Sequence, residues 1–408
     1  MTPPLDRRQL LAGAAATLAL QPTLAAGPTR LPRALRVGLV GCGRQGREMV
    51  TELATFPDVE LAAVCDTDES RLNGMRRRAR SAQRFATVEE LLEKGNVDAV
   101  FIATSSHQHR GPALAALAAQ KPVYCEAPLA TDTEDARAIA VAARGAGVAF
   151  QVGLLGRVNP VYKLAWSFVK GGAIRDFVSL RGQHHEKNSW VVPTDDGARA
   201  AELGWRLDPA RSLGLIGELG AHQLDVWHWY VGAYPTSVRA RGAVRGWKDG
   251  RTMHDTVQAA YTFPDGLECV WDGTITNTYG GRYELIHGTM GAVKLAWTHG
   301  WLFKESDAPT QGWEVYANRQ TFHNDEGITL IADATKLAAQ GKLTEGVGLP
   351  QSALWYGIES FLKCVTDGGQ AAVGADEGFR NVVVATAGAK ALRTGEAVAI
   401  TDAMLKVD

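Results

Sequence analysis

An α/β domain with a parallel sheet, followed by an α+β domain built on a large, mostly antiparallel open sheet, is the architecture this sequence predicts. Three observations predict it. Apolar runs alternate with helical patterns from Leu35 to Val152, a glycine-rich turn joins the first run to the first helix, and from Gly156 onward strand patterns follow one another with few helices between them. Strands that alternate with helices need crossover connections and therefore a parallel sheet, whereas consecutive strands pair antiparallel. With 408 residues, 46% hydrophobic and 21% charged, the chain is long enough to bury two cores.

The first strand, Leu35 to Val40, runs directly into Gly41-Cys42-Gly43-Arg44-Gln45-Gly46. In a GxGxxG turn the glycines permit a tight strand-to-helix reversal and close approach of backbone to a pyrophosphate, and the last one lets the following helix, Arg44 to Ala54, pack on the sheet. The unpaired N–H groups at the start of that helix attract the phosphates. A second strand, Val59 to Cys65, delivers Asp66 about twenty residues past Gly46, where a carboxylate accepts from ribose hydroxyls and repels a 2′-phosphate. NAD is therefore favoured as cofactor, while Arg71 and Arg76-Arg77-Arg78 keep NADP open.

The alternation continues through strands Val97 to Ala103, Pro122 to Cys125 and Ala149 to Val152, a helix from Pro112 to Ala119, and a helix through Ala143 that starts with a capping box of Thr131 and Glu134. Ligands of parallel sheets sit beyond the carboxyl ends of the strands. That rule adds Thr104, Ser105, His109, Glu126 and Pro128 to Gly41, Gly43, Arg44, Gln45, Gly46 and Asp66 as cofactor-contacting candidates. The second domain reads as strands Phe177 to His184, Thr236 to Arg245, Thr256 to Phe263, Leu267 to Thr276, Tyr283 to Gly288 and Ala292 to Trp297. Its helices are confined to Pro160 to Val169, Glu218 to Tyr230, Ser352 to Thr366 and Asp376 to Arg393, which puts them on one face of the sheet.

Charge and cysteine usage exclude several function classes. Forty-three basic against 44 acidic residues give a net charge of -1, with no footprint for nucleic acid or anionic lipid. The five cysteines, Cys42, Cys65, Cys125, Cys269 and Cys364, lack metal-type or paired-disulfide spacing and read as core thiols. Arg7-Arg8 precede an apolar run to Leu20, and small residues at Ala25-Ala26 offer a cleavage site, the pattern of a twin-arginine export signal. The expected organisation is a signal at 1–26, a linker at 27–33, a dinucleotide-binding domain at 34–155 and a substrate-binding and oligomerisation domain at 156–408, with no membrane span in the mature protein.

The glycine turn, the run Ile102 to His109, the run Val123 to Ala130 and the run Gly217 to Asp225 together resemble the glucose-fructose oxidoreductase, inositol dehydrogenase and MocA family over nearly the whole mature chain. The resemblance implies an N-terminal Rossmann domain, a C-terminal open sheet that receives a sugar or cyclitol, and a dimer or tetramer. One departure matters. The family's Glu-Lys-Pro motif, whose lysine assists proton transfer, is here Glu126-Ala127-Pro128, and alanine neither donates nor accepts a proton.

Acid–base chemistry must then come from elsewhere. Glu218, His222 and Asp225 match the family's motif with a catalytic acid and histidine, and a continuous helix would place Glu218 and His222 on one face. His222 is the leading acid–base residue, since imidazole titrates near working pH, with Glu218 or Asp225 to orient it. His184-His185-Glu186-Lys187 lies at a strand end; at most one of the two histidines faces the substrate, His185 is carried as a catalytic candidate, and Lys187 is a candidate stand-in for the lost lysine. Tyr162, Trp190, Trp205 and Arg206 are available to stack on or bond a sugar, and no close ligand spacing calls for a metal.

An exported enzyme meets little free nicotinamide cofactor, so the bound cofactor should be recycled in place. The leading expectation is an oxidoreductase acting on a sugar, glycoside or cyclitol. The alternatives are a redox-neutral, NAD-dependent glycosidase working through a transient keto-sugar, and a non-catalytic nucleotide- or sugar-binding protein.

Overall fold

The computed structural model describes residues 29–311, 314, 319–322, 325–331, 337 and 348–408; the export-signal reading falls on residues outside these. Six parallel strands form the first sheet: β1 (Leu35–Val40), β2 (Val59–Cys65), β3 (Gln83–Phe85), β4 (Ala99–Ile102), β5 (Val123–Cys125) and β6 (Phe150–Val152). Their order is β3-β2-β1-β4-β5-β6, so the chain reverses direction across the sheet between β1 and β4, and a crevice opens there at the carboxyl ends. Helices α1 (Arg44–Leu53), α2 (Glu69–Met75), α3 (Val88–Lys94), α4 (Arg110–Ala118) and α5 (Thr133–Ala146) make the crossovers. The inner strands β1, β4, β5 and β6 are short and mostly apolar, as burial on both faces requires. The sequence reading missed α2, α3 and β3, which are short and carry little periodicity. It also misplaced one cap: α5 begins after Asp132, whose carboxylate accepts from the Asp135 backbone N–H at 2.8 Å, and not after Thr131.

The second sheet has ten strands. Those that bear on the site are β7 (Phe177–His185), β8 (Ser237–Ala243), β9 (Thr256–Thr262), β10 (Glu268–Thr274), β11 (Arg282–Gly288), β12 (Gly291–Ala296) and β13 (His299–Lys304). β14 (Arg319–Phe322), β15 (Asp325–Thr329) and β16 (Val398–Ala399) complete it, and every pairing is antiparallel except β7 with β10. Helices α6 (Pro160–Lys170), α7 (Gly197–Leu203), α8 (Gly214–Glu218), α9 (Ala221–Val231), α10 (Ala353–Asp367) and α11 (Ala375–Thr394) accompany it. Alternate residues of β7 are buried, with Leu180, Gly182 and His184 turned towards Trp227, Gln223 and Leu219 and the intervening side chains towards the other face. Val270, paired with Arg181, remains exposed on that other face.

Two departures from the sequence reading affect the site. The single helix expected from Glu218 to Tyr230 is two helices, broken at Leu219-Gly220, so Glu218 and His222 do not share a helical face. The domain boundary at 155/156 follows chain order and not packing. Leu354, Ile358, Phe361 and Leu362 of α10 lie in the same core as Leu35, Leu39 and Phe101, so the chain returns to complete the first domain.

Asp225 is 3% exposed and receives both Nε and Nη2 of Arg157, at 3.0 and 2.7 Å. Asp225 is thus engaged by Arg157, and among the described residues no hydrogen bond joins it to His222, correcting its expected catalytic role to a structural one. Removing the cation strands a buried carboxylate, so Arg157→Ala should cost about 3–5 kcal/mol of unfolding free energy, read from urea midpoints, while bound cofactor content stays unchanged.

Candidate active site

The cofactor cradle is assembled from strand ends. Gly41 has φ +99°, and a Cβ there would lie 2.5 Å from the Ala103 carbonyl; a Cβ on Gly46 would lie 1.9 Å from the Gly41 carbonyl oxygen. Both positions exclude any side chain. A Cβ on Gly43, by contrast, would meet nothing within 4 Å, so the space in front of the α1 N-terminus is open where a pyrophosphate would sit. Asp66 accepts from the Cys42 and Asp68 backbone N–H groups at 2.7 and 2.9 Å, which fixes its carboxylate at the end of β2. Arg71 reaches Asp66 and Asp68 at 4.0 and 3.5 Å and is thereby occupied by carboxylates. These residues fit an NAD with its diphosphate on α1 and its adenosine ribose on Asp66.

The remaining cofactor candidates divide. Gln45 donates to Glu126 at 3.0 Å, joining the glycine turn to the end of β5, and burial pushes the Glu126 carboxyl up to about 7. Arg44 points away, bonded to Glu48 at 3.2 Å with most of its side chain in solvent. Thr104 abuts the glycine turn, and Ser105 precedes the short turn Ser106–Gln108. His109 is no cofactor ligand. It is 1% exposed, with Nδ1 3.0 Å from the Pro128 carbonyl and Nε2 3.2 Å from the Thr104 carbonyl, so it ties the loops after β4 and β5 together. Burial holds its pKa down at about 4. Pro128 thus enters through its carbonyl.

A clasp closes over the ribose end. Arg199 of α7 in the second domain donates to Asp68 and Ser70 at 2.7 and 2.5 Å, and Glu202 lies 3.8 Å from Arg71. Nothing in the sequence pattern singled out Arg199, because its partners lie some 130 residues away. Arg199→Ala should raise the NAD dissociation rate roughly three- to tenfold, the effect of losing a partly exposed ion pair, measured by cofactor release into a scavenging dehydrogenase.

Across the crevice, Glu218 is the joint between the domains. Its buried carboxylate accepts from Ser106 Oγ at 3.1 Å and Ser212 Oγ at 3.2 Å, with Arg206 Nε at 3.6 Å. Burial raises its pKa, and Arg206 and the two hydroxyls oppose that shift. Glu218 therefore positions the second domain on the β4 loop and does not orient His222. Arg206 in turn stacks on Trp205, its guanidinium 4.7 Å from the ring.

His222 stands edge-on to Trp297, ring centroids 5.6 Å apart at 90°, and its Nδ1 is enclosed without a partner. Arg282 covers Trp297, its guanidinium carbon 3.4 Å from the ring centroid. His184 sits directly across the β7–β11 pair from Arg282. Burial and the Arg282 charge hold both His184 and His222 down at about 3, so both rings are neutral at pH 7. Trp190 and Trp297 have φ of +60° and +58°, conformations that bulky residues adopt at a cost and that cluster at functional sites. Trp297 is held there by Asn159, which donates to its carbonyl at 2.5 Å, and by its own N–H to the Tyr162 hydroxyl at 3.3 Å. Tyr162 is fully buried against Glu284, so it supports the site and does not stack on a ligand.

His185 belongs to the opposite face of β7, bonded to the Tyr279 carbonyl at 3.0 Å and 3.3 Å from Asp272, and its expected catalytic role is withdrawn. His184 is the inward member of the pair. The i, i+2, i+4 series Leu180, Gly182, His184 was the signal that identifies it. Lys187 is exposed and its backbone pairs with Thr276, so it does not replace the missing lysine. Among the described residues no group of three or more histidine, cysteine, aspartate or glutamate side chains is placed to hold a metal, and no helix is long and apolar enough to cross a membrane. All five cysteines are buried free thiols.

A family model of NAD-binding Rossmann-fold oxidoreductases matches residues 35–154, and the GFO/IDH/MocA C-terminal domain matches residues 162–294. Inositol 2-dehydrogenase 2 of Saccharopolyspora erythraea is 31% identical over 64% of this chain and 73% of its own length. The chain belongs to the Gfo/Idh/MocA family. The family's inositol 2-dehydrogenase from Acidothermus cellulolyticus is 29% identical over 65% of this chain and 73% of that protein. A solved levoglucosan dehydrogenase, in complex with NADH and levoglucosan, shares the fold with a TM-score of 0.73 at 20% identity, over 91% of this chain and all of that one. The chain is thus an NAD(P)-dependent oxidoreductase of this family with NAD as cofactor.

The buried groups set opposing pH dependences. His109, His184 and His222, held below 6.5, add stability that is complete above about pH 6.5 and drains as pH falls towards their folded values of about 4, 3 and 3. Glu126 and Glu284, both raised to about 7, act in the reverse sense, gaining stability as pH falls from about 7 to 4.5. The urea midpoint should therefore stay nearly level from pH 7 to about 4.5 and fall steeply between about 4.5 and 3.

Proposed function

We propose that this protein is an exported oxidoreductase that oxidises a hydroxyl of a sugar, glycoside or cyclitol and keeps its NAD bound between half-reactions. The Ser106–Glu218 hydrogen bond carries the reading, because it holds the face bearing His222, His184 and Arg282 against the loop at the carboxyl end of β4. Related proteins named as inositol 2-dehydrogenase and 1,5-anhydro-D-fructose reductase support the substrate class. Export rests on Arg7-Arg8 and the apolar run behind them, and the Arg199 clasp suits a cofactor that must not be lost. Carboxylates around Arg71 favour NAD over its 2′-phosphorylated form. The outer face of the second sheet, where Val270 is exposed beside Arg181, suits a homo-oligomer.

NAD, when bound, supplies the hydride acceptor. Gly41, Gly43 and Gly46 admit its diphosphate, Asp66 takes the ribose, and Glu126 with Gln45 lines the crevice at the end of β5. His222, neutral and without an ion-pair partner, accepts the hydroxyl proton at Nε2, since Nδ1 is enclosed by protein. Ala127 leaves no competing ammonium in that role. Trp205 and Trp190, with Arg206 between them, wall the crevice against water.

Incubating the purified protein, with the cofactor it carries and no added nicotinamide, with free sugars, cyclitols and glycosides tests the reading by mass spectrometry. Paired ketone and alcohol products, or an oxidised sugar with bound NADH, are expected; aglycone release without net redox change would overturn it in favour of a glycosidase cycle. His222→Ala should lower kcat by about 10²–10⁴-fold, the usual worth of a general base, with bound NAD unchanged; retained turnover would remove His222 from the mechanism.

A further inference from the structure

Arg282 is a half-buried cation on the wall of the substrate crevice, and among the described residues it makes no ion pair. No ion pair within 4.0 Å and no side-chain hydrogen bond is made by its guanidinium among the described residues, although Asp and Glu partners are supplied to Arg157, Arg199, Arg206 and Arg251. Two carboxylates lie near enough to feel its charge, and neither is within ion-pair distance of its guanidinium. Glu284 is fully buried, bonded to the Tyr162 hydroxyl, and raised by burial to about 7, while Glu186 receives Trp190 Nε1 at 3.4 Å and stands 3.9 Å from His184.

Stacking on Trp297 offsets part of the desolvation of the guanidinium but supplies it with no hydrogen-bond acceptor. A family of unpaired groups surrounds it. His184 is 9% exposed with Nδ1 unpartnered, and His222 Nδ1 is likewise unpartnered. Two neutral imidazoles thus flank the guanidinium, and neither supplies it with an anion. The wall is also rigid: Arg282 is anchored in the β7–β11 ladder opposite His184, and Trp297 is locked from behind by Asn159 and Tyr162.

Resting on the oxidoreductase reading above, we infer that the substrate carries a carboxylate, as in a uronic or aldonic acid or its glycoside, and that Arg282 binds it. One delocalised +1 charge with a planar fork matches a carboxylate in charge and shape. A phosphate dianion would need a second cation, and the nearby groups supply only more carboxylate and neutral imidazole. The acid group also explains how a site without the family's lysine orients its ligand: the fork fixes one end of the sugar while His222 meets the reacting hydroxyl.

The test uses the NAD-loaded full-length protein with D-glucuronate, D-galacturonate, D-gluconate and the methyl glycosides of the two uronates, against D-glucose, D-galactose and myo-inositol. Bound NADH fluorescence reads hydride transfer, and ligand-induced thermal shift reads binding. At least one acid should reduce the bound NAD with a second-order rate constant about 100-fold or more above that of its neutral counterpart, with Arg282→Ala abolishing the preference and Arg282→Lys retaining part of it, as expected when one partner of a charge pair is removed. Arg282→Gln keeps the stem and planar amide, so loss of the acid preference there with an unchanged unfolding midpoint separates recognition from folding. Neutral sugars reducing the bound NAD as well as the acids do would overturn the carboxylate and leave the oxidoreductase reading intact. Acids that bind through Arg282 yet never reduce the cofactor would uphold the recognition site and sink the oxidoreductase reading; no binding of any acid would overturn the inference.

Discussion

The buried carboxylate of Glu218 is the constraint on which the site depends. A carboxylate withdrawn from water must be met by donors, and here they come from two domains: Ser106 on the loop after β4, and Ser212 and Arg206 on the segments before α8. Satisfying one group therefore sets the position of the second sheet relative to the first. The break at Leu219-Gly220 then starts a new helix, which carries His222 towards Trp297 and away from Glu218. Acid and histidine lie four apart in sequence but do different work: one joins the domains, the other faces the crevice.

Arg282 organises the electrostatics of that crevice. It lies over Trp297, opposes His184 across a strand pair, and disfavours the imidazolium of both histidines. The result is a neutral base beside a fixed cation, an arrangement that needs no lysine at position 127. The two tryptophans with positive φ fit the same picture, since Trp297 is restrained by Asn159 and Tyr162 so that its face receives the guanidinium. At the other end of the crevice, Asp66, Asp68, Arg71, Arg199 and Glu202 form a second charged cluster that spans the domains and encloses the ribose position.

Much of the first domain was legible. The glycine turn, the strand that follows it and the acid at its end specify a local unit whose geometry allows few alternatives, because Gly41 and Gly46 have no room for a Cβ. The alternation of strands in the second domain was legible for the same reason: one side of β7 must be apolar or small to meet a helix layer. His109 was misread as a cofactor residue because a polar loop residue and a buried staple look alike until the carbonyls of Pro128 and Thr104 are seen around it. Asp225 was misread because its partner, Arg157, is 68 residues away.

The sequence by itself determined the local chemistry: a dinucleotide turn, an acid for the ribose, a domain of consecutive strands, and a histidine in a motif that resembles the family's. These follow from short-range sterics and periodicity, which act over a few residues. Only the tertiary structure decided which of His184 and His185 faces inward, that Glu218 joins domains, that α10 belongs to the first core, and that Arg282 stands unpaired over Trp297. Each of those depends on contacts between segments far apart in the chain, where burial removes water and leaves every charge to whatever neighbours the packing supplies.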